Sequence, residues 1–133
     1  MRNVAFQAIA DANKAIEIDP KYIYGYRVGG EVYAHKREFD RAIVDFTSIL
    51  DINPKDAFTY GRRGSVYWLK GDYDRAIADF TKQIEIEPDN PEAYRGRGLA
   101  YADKRDNASA LADYNKAIEI TKRRIETGYR QLR

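Results

Sequence analysis

Three prolines, Pro20, Pro54 and Pro88, recur at intervals of 34 residues, and each closes a nearly identical phrase, AIEIDP, LDINP and IEIEP. A chain that repeats itself at this length folds as a row of similar units, each burying its apolar face against its neighbours. The register runs through the sequence. Ala8, Ala42, Ala76 and Ala110 share it, followed four residues later by Ala12, Phe46, Phe80 and Tyr114; Gly30, Gly64 and Gly98 share it too, each three residues before Tyr33, Tyr67 and Tyr101. Within each copy two apolar patterns at helical spacing are separated by a turn phrase, KREFD, KGDYD or KRDNA, so each copy reads as a helical hairpin. The prolines end the second helices, because the residue before a proline is steered away from helical angles. An interior glycine costs a helix roughly 1 kcal/mol relative to alanine, so its recurrence predicts a close helix approach. The partner expected at that point is the alanine column, Ala42, Ala76 and Ala110.

These columns resemble the tetratricopeptide repeat, whose pattern is W-x2-L-G-x2-Y, then A-x3-F, then P. The central copy fits most fully, as Tyr60-x2-Arg63-Gly64-x2-Tyr67, Ala76-x3-Phe80 and Pro88. The first full copy carries Tyr26, Gly29, Gly30, Tyr33, Ala42, Phe46 and Pro54; the third carries Tyr94, Arg97, Gly98, Tyr101, Ala110 and Tyr114, with Lys122 in place of the last proline. The resemblance implies an all-α, helical-hairpin solenoid of about seven helices in a right-handed superhelix. It divides one domain, 1–133, into a half copy at 1–22, copies at 23–56, 57–90 and 91–124, and a helical extension at 125–133.

Composition removes most catalytic readings. There is no Cys, one His (His35) and one Trp (Trp68), which excludes disulfide frameworks, thiolate chemistry and any two-histidine metal arrangement. Ser48, Ser65 and Ser109 have no signalled base, so no enzyme, cofactor or metal is expected. Lys plus Arg number 23 against 21 Asp plus Glu, a net charge of +2 that gives no global pull toward nucleic acid or anionic membrane. The opening residues contain neither a secretory core nor a membrane span, so a cytoplasmic location is the expectation, an upstream signal aside. Most of the 11 tyrosines sit in repeat packing columns, which makes base stacking an unneeded explanation for them.

The copies depart from the family pattern at two places. Arg63 and Arg97 occupy the position before the repeat glycine where an apolar residue is usual, and a charge there needs a partner or a route to water. The aspartate column Asp11, Asp45, Asp79 and Asp113 offers two pairings: Arg63 with Asp79 and Arg97 with Asp113 within a copy, or Asp45 with Arg63 and Asp79 with Arg97 between copies. On either pairing, Arg63→Leu is expected to be near neutral or stabilising. The other departure is at the ends. The half copy presents Val4, Ala8 and Ile9 on a flank with no first helix to cover it, which predicts self-association, a symmetric homodimer being the simplest form. The extension, with Lys122, Arg123, Arg124, Arg130 and Arg133 against Glu126, reads as a polar capping helix.

Where function sits follows from the resemblance. In such proteins the first helices of successive hairpins line a concave groove that holds a peptide or extended segment. The corresponding row is Tyr24, Arg27, Glu31 and His35, then Phe58, Ser65 and Leu69 with Arg62 beside them, then Glu92, Arg95, Leu99 and Asp103. The family's two-carboxylate clamp is not formed, since its positions hold Arg27, Glu31, Arg62, Glu92 and Gly96, and two glutamates repel the carboxylates such a clamp must hold. The expected function is a protein-interaction adaptor taking a peptide with at least one acidic group through Arg27, Arg62 and Arg95; the alternative is a self-assembling scaffold joined at the repeat ends.

Overall fold

A computed structural model describes residues 3–132 and contains, among them, seven α-helices: α1 (Val4–Ile18), α2 (Ile23–His35), α3 (Phe39–Ile52), α4 (Ala57–Lys70), α5 (Tyr73–Ile86), α6 (Pro91–Asp103) and α7 (Asn107–Gln131). Each helix packs on the next in sequence, and α4 also touches α6, so the fold is a helical-hairpin solenoid with α2/α3, α4/α5 and α6/α7 as the hairpins. Met1, Arg2 and Arg133 lie outside the described residues.

Local chemistry sets the helix ends. The side chains of Asp56, Asp72, Asn90 and Asp106 accept backbone N–H groups of the first turns of α4, α5, α6 and α7, satisfying donors that have no intrahelical partner. Between the helices of each hairpin the chain passes once through the left-handed region, at Arg37, Gly71 and Arg105, again 34 residues apart. Glycine adopts that conformation without cost, whereas the two arginines do so at some strain. The repeat prolines have a second role beyond ending helices: the hydroxyls of Tyr26, Tyr60 and Tyr94 donate to the carbonyls of Pro20, Pro54 and Pro88 at 2.8–3.1 Å, tying each turn to the helix that follows. With Lys122 at the fourth such position, α7 runs on without a break to Gln131.

The glycine column faces rings rather than alanines. A Cβ on Gly30 would lie 2.6 Å from the Phe46 ring and one on Gly98 2.7 Å from Tyr114. The expectation that Ala42, Ala76 and Ala110 fill this place is therefore corrected: the aromatic one helical turn further on presses against the glycine, and the alanines are buried beside it. Phe46, Ile49, Ala42 and Val66 form one core cluster and Ala76, Phe80 and Ala100 another.

Of the two ion pairings open in the sequence, the structure forms the one within a copy. Arg63 donates two hydrogen bonds to the Asp79 carboxylate, both at 2.8 Å, and Arg97 does the same to Asp113. A third donor of each guanidinium reaches back to the preceding copy, to Thr47 Oγ1 at 3.0 Å and Thr81 Oγ1 at 3.2 Å. Tyrosine rings flank both: Tyr60 and Tyr67 around Arg63, Tyr94 and Tyr101 around Arg97. The hydrogen bonds to the carboxylates push both arginine pKa values up, while burial pushes Asp79 upward against the pull of Arg63. Asp45 stands apart. Its counterpart on the first helix is Gly29, so it has no guanidinium, and burial raises its pKa to about 6.

This geometry overturns the expectation that leucine at position 63 is harmless. The Asp79 side chain is 7% exposed, and removing Arg63 alone strands a buried carboxylate. Arg63→Leu and Asp79→Leu are each expected to lower the unfolding free energy by about 3 kcal/mol, with the double replacement costing less than either single one; urea titration of the four proteins reads this directly. For Asp45 the sign runs the other way. A carboxyl whose folded pKa is raised contributes stability that is present below the unfolded pKa, near 3.8, and lost as pH rises through about 6. Asp45→Asn is thus expected to be more stable than the parent at pH 7, with the gap closing toward pH 4. A gap that stays constant with pH would show that Asp45 is not ionising in a buried place.

Candidate functional site

The first helices of the hairpins bring the expected row together only in part. A cleft of about 460 Å³ opens between α4 and α6 over α5, and its walls include Phe58, Arg62, Ser65 and Leu69 from α4 and Glu92, Arg95 and Leu99 from α6. Tyr24, Arg27, Glu31, His35 and Asp103 are outside that cleft. Tyr24 stands exposed with its ring edge-on to Tyr22 at 6.0 Å, His35 is exposed at the end of α2, and Asp103 accepts the Trp68 indole N–H at 2.5 Å.

The charges in the row are already matched within the protein. Arg62 makes two hydrogen bonds to Glu31, at 2.6 and 2.7 Å, across the gap between α2 and α4. Arg95 pairs with Glu92 at 2.7 Å on its own helix. Arg27 donates to Asp56 at 3.0 Å and lies over the Phe58 ring at 5.6 Å, while its Nε–H is buried with no acceptor among the described residues. The three arginines expected to receive an acidic group therefore each face a carboxylate of the chain itself, and an incoming acid has to exchange with it. Half-exposed pairs of this kind exchange at small cost, because an ion pair in contact with water is worth about 1 kcal/mol or less.

The floor of the cleft holds the residues that the row does not contain: Trp68, Phe80, Gln83, Asn90 and Gly96. Two glycines open it. A Cβ on Gly96 would lie 2.6 Å from the Phe80 ring, and one on Gly61 would lie 2.6 Å from the Gln83 amide nitrogen. Gln83 is the unusual one. Ile49 and Ala117 hold its place in the neighbouring copies, yet Gln83 is 7% exposed as a residue and its amide, open to the cleft, makes no hydrogen bond to any described residue. A polar side chain in an otherwise apolar repeat column is a signal the sequence carries. It is legible once the columns, rather than the first-helix faces alone, are compared.

A second recess, about 660 Å³, lies between the start of α6 and the extended α7, lined by Pro91 and by Ile118, Ile125 and Tyr129. These side chains form an exposed apolar stripe at spacings of seven and four residues, continued by Leu132, with Lys122 and Glu126 in the same recess and Arg123 and Arg124 in the neighbouring one. The extension is therefore not a uniformly polar cap. Among the described residues no helix is long and apolar enough to cross a membrane.

Comparison with known proteins agrees with this architecture. A model described as TPR repeat matches residues 64–104, and one described as tetratricopeptide repeat matches residues 91–123. No curated protein matches the sequence. Two crystal structures of MamA are similar at 27% identity: one superposes with a TM-score of 0.89, covering 93% of this chain and 72% of its own, and the other with 0.86, covering 93% and 68%. MamA 41-end from Desulfovibrio magneticus RS-1, 18% identical, matches in fold with a TM-score of 0.83 over 89% of this chain and 67% of that one. Residues 64–123 match tetratricopeptide repeat models, the same columns run from Ala8 to Tyr114, and the chain is a helical-hairpin solenoid of that kind and a protein-interaction module.

Proposed function

We propose that the chain binds an extended segment of another protein in the cleft between α4 and α6. The observation that carries this reading is the Gln83 side chain, which lines a largely apolar cleft with its amide open to the cleft and unpaired among the described residues. A ligand that covered this amide without pairing it would lose about 1–3 kcal/mol, whereas a peptide backbone offers both a donor and an acceptor to it. Around it the surface is apolar, with Phe58, Leu69 and Leu99 exposed at the rim and Phe80 beneath. An apolar side chain of the ligand sits there, and the Arg62 and Arg95 ion pairs flank it. An acidic group next to that side chain would exchange with Glu31 or Glu92 for its arginine, so acid recognition is secondary to the apolar contact.

The test is to select binders from a random peptide library against the chain and measure their affinities calorimetrically on variants. Gln83→Leu is expected to weaken binding about tenfold, equivalent to roughly 1.4 kcal/mol, while leaving the fold as stable or more so. Leu99→Glu is expected to abolish binding, and Arg62→Ala to reduce it less than Gln83→Leu does. Selected peptides that bind Gln83→Leu and Leu99→Glu as tightly as the parent would refute the cleft as the site.

Self-assembly through the repeat ends is a second reading, and the exposed ends favour it. On α1, Val4 is 82% and Phe6 70% exposed, on opposite sides of the helix, whereas Ala8 and Ile9 are half-buried, so the free apolar surface is Val4 and Phe6 rather than one flank of Val4, Ala8 and Ile9. Burial of such surface stabilises by about 25 cal/mol per Å², and the two copies of a symmetric dimer each contribute it. The apolar stripe on α7 offers a second surface. Light scattering over a concentration series is expected to show association that weakens with Val4→Ser combined with Phe6→Ser and survives Leu99→Glu. A monomer at millimolar concentration would remove this reading and leave the cleft untouched.

A further inference from the structure

The arginine at the seam of the second and third hairpins has a repeated environment. Arg63 sits between the rings of Tyr60 and Tyr67, 5.8 and 5.9 Å from their centroids, with the Asp79 carboxylate engaging its fork and the Thr47 hydroxyl behind it. Arg97 repeats this with Tyr94, Tyr101, Asp113 and Thr81. The first hairpin carries the same surroundings at the same register: Tyr26, Tyr33, Asp45 and, in place of the threonine, Asn13. The guanidinium alone is missing, because the residue in the arginine position is Gly29.

We propose that the first hairpin holds a binding site for a guanidinium group brought by a ligand, formed by the Asp45 carboxylate and the rings of Tyr26 and Tyr33. The two internal counterparts show what this set of groups accepts. A carboxylate presented edge-on takes two parallel N–H donors, a geometry that a planar guanidinium matches and a point-like ammonium does not. Rings on either side add the attraction between a cation and an aromatic face. Asp45 is half-buried, its carboxylate lies against Gly29, and it has no ion-pair or hydrogen-bond partner among the described residues; desolvation raises its pKa accordingly. Arg41 lies over the Tyr33 ring at 5.4 Å, but this does not occupy the site: its counterpart Arg75 lies over Tyr67 at 6.0 Å while Arg63 also stacks there. The Asp45 carboxylate leans over Gly29 into the space a Cβ would take, so it turns outward on binding, to the orientation Asp79 holds toward Arg63. The site is at the α2/α3 seam rather than in the cleft between α4 and α6, and it stands or falls independently of that cleft.

The experiment is a titration of the isotopically labelled chain, followed by backbone amide shifts, with N-acetyl-L-arginine amide, N-acetyl-L-lysine amide, N-acetyl-L-citrulline amide and free L-arginine. The arginine amide is expected to give saturating shifts at Gly29, Tyr33 and Asp45, with the lysine derivative at least tenfold weaker and the uncharged citrulline derivative without effect. Asp45→Asn is expected to lose the response. Gly29→Arg is expected to lose it as well and to raise the melting temperature, since its own side chain then fills the place. Tighter binding of the blocked arginine than of the free amino acid assigns the site to an arginine side chain in a polypeptide; the reverse assigns it to a small guanidinium metabolite. Equal responses to lysine and arginine, shifts confined to the cleft residues Phe58 and Leu99, or an unchanged response in Asp45→Asn would overturn the proposal.

Discussion

The close contact between paired helices, a glycine on one pressed against an aromatic ring on the other, is the constraint from which the rest of this structure follows. Gly30 against Phe46 and Gly98 against Tyr114 leave no room for a methyl group. Helix approach is therefore set by backbone and ring rather than by interdigitating side chains. The contact recurs every 34 residues, looser in the central copy, where a Cβ on Gly64 would lie 3.3 Å from the Phe80 ring, so the hairpins share a similar geometry and stack one on the next. Loss of helix propensity at the glycines is offset by burial of Phe46 and Phe80 and by the half-buried ring of Tyr114.

That close seam explains how charge is tolerated inside the solenoid. Arg63 and Arg97 lie where the family usually has an apolar residue, but each finds two carboxylate oxygens, a hydroxyl from the preceding copy and two ring faces within reach. Every donor direction that matters is answered, and the third hydrogen bond ties one hairpin to another. The pair therefore joins specified helices, while its net worth against a packed apolar pair is small, because desolvation of both charges opposes their attraction. Asp45 shows the same seam without its cation, and its altered titration is the electrostatic consequence.

The binding surfaces arise where the repeat is interrupted rather than where it is regular. Gly61 and Gly96 depart from the side chains of their neighbours and open a cleft down to Phe80 and Gln83. At the two ends, α1 and the extension of α7 present apolar flanks that a continuing repeat would cover. A solenoid makes this division natural, since each unit needs only its neighbours to fold and its remaining faces are available for contact.

Much of the fold was legible from periodicity. The 34-residue register, the turn phrases and the prolines determined the number of helices, their order and their pairing, because these depend on local propensity and on which residues share a face. The register also placed Arg63 and Arg97 beside the aspartate column. It could not choose between two aspartates, each one repeat apart, because that choice depends on the direction each long side chain takes across a helix interface. The same holds for the site. The first-helix faces were readable, and seven of the residues on them line the cleft. Which arginines are already neutralised by Glu31, Asp56 and Glu92, and that Gln83 lies unpaired beneath Gly61, were decided by tertiary structure alone. Spacing along a chain fixes the face on which a side chain starts; what it touches is fixed only when the neighbouring helices are in place.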